Sequence, residues 1–135
     1  MTKQEQIDAI ARAQKELSEY TQEQHRLHMQ ILDLSEKLGN LRAQLKMLLP
    51  LNTAAEALHG KRKYRALVDI NDPRVRYQAC WCELKGAAEE MRGIMYKLNT
   101  VEYHIRLIKS RIANFEATEI IPERPRQWAL IGGAS

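Results

Sequence analysis

YQACWCELKGAAEEMRGIMYKLNTVEYHIRLIKSRIANF, from Tyr77 to Phe115, decides the fold. Every seventh residue is apolar: Tyr77, Leu84, Met91, Leu98, Ile105, Ile112. Three places beyond each stand Cys80, Ala87, Ile94, Val101, Ile108 and Phe115. An apolar residue at alternate steps of three and four makes one narrow stripe along a helix, the a/d seam that packs against another helix.

The same pattern runs through the first part of the chain. Ile10, Leu17, Gln24, Ile31, Leu38 and Leu45 take the a positions, and Ala13, Tyr20, Leu27, Leu34, Leu41 and Leu48 the d positions. In an antiparallel pair an a residue faces a d residue. Partners whose numbers sum to 125 give layers such as Ile10/Phe115, Leu17/Ile108, Leu27/Leu98, Leu34/Met91, Leu41/Leu84 and Leu48/Tyr77. Only the Gln24/Val101 layer holds an amide, and a lone polar a residue fixes register at a cost in stability. The flanking g positions set Glu16 opposite Arg111, Glu23 opposite His104 and Lys37 opposite Glu90; at e, Arg42 meets Trp81. None is a like-charged pair. The fold class predicted is all-α: a long antiparallel two-helix coiled-coil hairpin that dimerises into a four-helix arrangement.

Punctuation sets the boundaries. Pro50 lacks an N–H and clashes with the preceding turn, so the first helix is expected over 2–49. A basic connection fills 50–72, with Asn52 or Thr53 capping a short helix at 54–58 that Gly60 ends. Asp72 as N-cap and Pro73 at the first helical position open a second helix over 73–118. The hairpin domain is thus 1–118, and 119–135 is a tail containing Pro and Gly.

Composition narrows the class. The chain has 135 residues, 44% apolar and 28% charged, which fits a folded helical chain rather than a disordered one. Aromatics at 6% argue against a thick globular core. No apolar run approaches the ~20 residues that span a bilayer. The polar start from Met1 to Gln6 is unlike a signal peptide, so the expected compartment is the cytoplasm. Cys80 and Cys82, one residue apart on a helix, point in different directions and are not expected to bridge.

Three surfaces are candidates for function. Lys61, Arg62, Lys63 and Arg65, with Arg74 and Arg76 after them and Tyr64 interleaved, form a basic cluster near the connection. Lys and Arg neutralise phosphates and a tyrosine stacks on a base, but such a cluster equally suits an acidic protein surface. Ala79, Gly86, Gly93 and Thr100 recur at heptad spacing on the outer face of the second helix, beside Tyr96 and Tyr103. Small residues in a row admit a close neighbour, so this is the expected dimer or partner face. Trp128, in the tail, is a candidate anchor for docking.

Catalytic and metal chemistry find little footing. The chain lacks a glycine-rich phosphate loop, a nucleophile elbow and an HExxH motif. His25 and His28 share a helical face, yet no carboxylate or thiol completes a zinc set around them. No cofactor is expected, and no motif ties the chain to a named family. The leading expectation is a non-enzymatic protein-interaction module, an adaptor, chaperone-like factor or small inhibitor of the kind a phage or mobile element encodes. The alternative is a nucleic-acid-binding accessory protein that uses the basic cluster.

Overall fold

The computed structural model describes residues 1–60 and 70–122. They form two helices and no strand: α1, Lys3–His59, and α2, Pro73–Ala117. The fold is an all-α helical hairpin. No described helix is long and apolar enough to cross a membrane.

Both helix starts are capped by their own sequence. At α1, the Glu5 N–H donates to the Thr2 hydroxyl at 3.2 Å, and the Glu5 carboxylate accepts from the Thr2 N–H at 3.3 Å. This reciprocal box satisfies two of the donors that a helix N-terminus otherwise leaves open. At α2, the Asp72 carboxylate accepts from the Arg74 N–H at 2.9 Å, with Pro73 at the first helical position. The expected N-cap is in place.

The chain's contacts group it into two compact units. The first sets Met1–Gln24 against the chain from Thr100 onward, and the second is His25–Asn99. In the first unit Ala13, Val101, Ile105 and Ile108 are buried, with Ile10, Leu17, Tyr20, Ile112 and Phe115 half-buried around them. The Gln6 amide donates to the Phe115 carbonyl at 2.7 Å, which also accepts from the Thr118 N–H at 3.2 Å near the end of α2. The Ile121 N–H donates to the Met1 carbonyl at 2.8 Å. Arg111 and Glu16 form the expected g-position pair at 3.3 Å. Tyr20 stacks on His104 with ring centroids 5.1 Å apart.

In the second unit the core consists of Leu27, Leu34, Leu38, Leu41 and Leu48 from α1, with Cys80, Ala87, Ile94 and Leu98 from α2. Every fully buried apolar residue described is one of the a or d positions read from the heptads. Leu27 is 1% exposed and Ile108 2%, one in each unit. Burying such a side chain stabilises by ~1.5–3 kcal/mol relative to leaving it in water.

Two expectations need correction. Pro50 does not end α1, which continues to His59. The separate helix at 54–58 is therefore the last part of α1, and the connection is correspondingly shorter. Two observations account for this. Pro50 lies at f, on the exposed back of the helix, where the Lys46 carbonyl it cannot serve is open to water. The seam also continues: Asn52 at the next a position is buried, 7% exposed, and Ala55 at the next d position is half-buried. Gly60 does end the helix, with φ +77° and its N–H on the Glu56 carbonyl at 2.8 Å. That left-handed backbone favours glycine. The second correction is that Lys37 reaches Glu83, at 3.9 Å, in place of Glu90. All three side chains occupy g positions, and a long lysine stem can lean toward either glutamate.

Candidate functional site

One arginine joins the end of α1 to the start of α2. The Arg74 guanidinium makes a two-pronged contact with the Asp72 carboxylate, at 3.1 and 2.7 Å, and a third bond to the Gly60 carbonyl at 2.8 Å. Its side chain is 16% exposed. The hydrogen bonds it donates to Asp72, opposed by partial burial, raise its pKa above the ordinary arginine value. A paired guanidinium of this kind is strong and geometrically specific. Arg74 therefore has a structural task among the basic residues singled out from the sequence. Arg76 is exposed. Lys61, Arg62, Lys63, Tyr64 and Arg65 lie outside the described residues, as does Trp128.

The small-residue stripe is divided between the two units. Ala79, Gly86, Gly93 and Tyr96 belong to the second, Thr100 and Tyr103 to the first. All are exposed, Tyr96 at 75% and Tyr103 at 53%. A Cβ added at Gly86 or Gly93 would meet nothing within 4 Å. The hairpin's own packing thus does not require glycine at either place. Tyr103 sets its ring edge-on to His104, with centroids 5.9 Å apart.

The two thiols differ. Cys82 is exposed, whereas Cys80 sits in the seam with its Sγ 3.5 Å from the Leu41 carbonyl and 3.8 Å from the Gln44 side-chain oxygen. Burial first, and the charge of Glu83 second, push the Cys80 pKa up. No group of three or more His, Cys, Asp or Glu placed to hold a metal occurs among the described residues.

The flanks of the seam are unlike one another in the second unit. The g flank is polar and cross-linked by Lys37 and Glu83. On the e flank, Leu38, Arg42, Trp81, Leu84, Lys85 and Ala88 line a shallow groove of about 330 Å³. Register pairs Arg42 with Trp81, but the groove around them has no mark in the heptad pattern itself. Its signal was the run of uncharged e residues Trp81, Ala88 and Met95, which heptad reading treats as background to the seam. Two further grooves lie at helix ends. One of about 450 Å³ is lined by Leu51, Ala55, Leu58, His59, Asn71, Asp72 and Pro73. The other, about 490 Å³, is lined by Lys3, Gln4, Ile7, Ile120, Ile121 and Pro122.

Capped helices, an apolar seam and a guanidinium link between two helix ends define an antiparallel helical hairpin. No protein family, curated protein or solved structure matches the chain.

Proposed function

We propose that this chain is a non-enzymatic protein-interaction module, an adaptor, chaperone-like factor or small inhibitor that binds a larger protein in the cytoplasm. One observation carries the reading. The seam accounts for the buried apolar residues, yet Trp81, Met95, Tyr96 and Tyr103 stand on α2 with half or more of their surface in water. Trp and Tyr are the residue types that most often anchor protein interfaces. A helix that needs only its inner stripe to fold has its remaining faces available to a partner. A second copy of the chain is a further partner, approaching over Ala79, Gly86 and Gly93, where the exposed backbone admits close contact.

The test is capture of affinity-tagged chain, cross-linked in the cells it comes from, with and without nuclease. A protein recovered in stoichiometric amount after nuclease treatment is the expected result. Recovery that depends wholly on nucleic acid would replace this reading with the nucleic-acid alternative.

A further inference from the structure

The e flank of the second unit combines apolar surface with charge of one sign. Leu32, Leu49, Trp81 and Met95 are exposed at 61%, 49%, 54% and 51%. Buried Leu38 and half-buried Leu84 form the groove's floor. Arg42 and Lys85 stand at its rim, and the adjoining b positions add Lys46 and Arg92, all exposed. Across the e and b positions of 28–53 and 78–99 there is no Asp or Glu at all. The carboxylates adjoining these positions in sequence fall elsewhere on the heptad: Asp33 at c, Glu36 and Glu89 at f, and Glu83 and Glu90 at g. The g flank, by contrast, carries both signs of charge, with Lys37 3.9 Å from Glu83.

We infer that this groove, between Arg42 and Trp81 and their neighbours, receives an acidic amphipathic helix of a protein partner. The inference rests on the interaction-module reading and gives that partner a chemistry. A third helix laid along the e flank buries its apolar stripe on Trp81, Leu38 and Leu84, as knobs enter the space between two helices. Its Glu or Asp residues, one turn to either side of that stripe, meet Arg42 and Lys46 on α1 and Lys85 and Arg92 on α2. Arg42 and Lys46 have no carboxylate three or four residues away on α1, and Lys85 and Arg92 share the single Glu89 on α2; an acidic partner relieves the remaining repulsion while speeding encounter. A phosphate backbone would leave the apolar floor uncovered. A flat anionic membrane fits a concave strip poorly.

Selection from a displayed library of helix-forming 20-residue peptides against the full chain tests the idea. The enriched peptides are expected to be acidic and amphipathic, and to weaken at least tenfold between low and high salt. Trp81→Ala should weaken them tenfold or more. Arg42→Glu with Lys85→Glu should do the same, and peptides with Glu exchanged for Lys should then bind the double variant. All three positions are exposed or line an open groove, so unchanged helicity by circular dichroism serves as the folding control. No enrichment, basic or neutral winners, or winners indifferent to both variants would overturn the inference. So would quenching of Trp81 by anionic vesicles or RNA in place of peptide, read in a Trp128→Phe background. Should a partner captured from cells bind both variants undiminished, the interaction-module reading survives and this groove is the wrong surface.

Discussion

Asp72 carries two structural tasks at once. Its carboxylate caps α2 and anchors the Arg74 guanidinium, which in turn holds the Gly60 carbonyl. Loss of an N-cap costs ~0.5–2 kcal/mol. Asp72→Ala also leaves a part-buried guanidinium with one partner fewer, so the expected loss lies at or above the top of that range. Urea unfolding followed by circular dichroism measures it; a loss under 0.5 kcal/mol would argue that the turn is not held this way. The two cysteines offer a second check. Iodoacetamide should label Cys82 quickly and Cys80 only as the hairpin opens, because the thiolate is the nucleophile and burial disfavours it. The sign of the pH effect follows. A raised pKa in the folded state means the unfolded chain loses this proton first. Stability resting on the neutral thiol is complete below the ordinary thiol pKa and declines as pH rises above it toward the folded value. The urea midpoint of the wild-type chain should therefore fall more steeply in alkaline buffer than that of Cys80→Ala.

Among the elements, α1 holds the informative conflict. A proline inside a helix costs ~3 kcal/mol or more, and α1 nevertheless continues nine residues beyond Pro50. Pro50→Ala restores the missing N–H on an exposed face and is expected to raise stability by roughly 1–3 kcal/mol. Leu27→Ala, in the closed seam, should lower it by ~2–5 kcal/mol. Truncation of Met47, which is 75% exposed, should stay within ~0.5 kcal/mol of neutral. Thermal melts of the three variants give the comparison. The heptads made the seam legible because burial on a helix follows a strict period, and Leu34, Leu41, Ala87 and Ile94 are buried where that period places them. The end of α1 was not legible. Proline is a strong local signal, and the opposing one was weak: a single further a/d pair, Asn52 and Ala55, of which one is polar. Arg74 misled for a related reason. Sequence counts its charge with the neighbouring cations, while geometry pairs it with Asp72 two residues away.

At the scale of the whole molecule the open matters are association and ligand. If a second copy packs over the stripe, the chain should run at twice its 15.7 kDa mass in light scattering, and Gly93→Leu should return it to one copy. A Cβ at Gly93 meets nothing within 4 Å in the single chain, so the substitution does not disturb the hairpin's own packing there and its effect on mass reports on association. An unchanged mass would count against this face. The nucleic-acid alternative makes its own demand: replacing Lys61, Arg62, Lys63 and Arg65 with Ala should abolish retardation of DNA or RNA, and binding by the intact chain should weaken steeply with added salt. No retardation at low salt would dispose of it. The candidate surfaces differ in legibility for a physical reason. Charge clusters and small-residue stripes are visible in one dimension, whereas the e-flank groove exists only once two distant stretches lie side by side.

The bond from Arg74 to the Gly60 carbonyl joins the end of α1 to the start of α2. Covalent continuity is thereby made partly redundant. A protease site introduced between residues 61 and 69 and then cut should yield a nicked protein whose halves co-elute and melt together. The same two halves, made separately, are the natural place to begin a split-reporter version of the molecule.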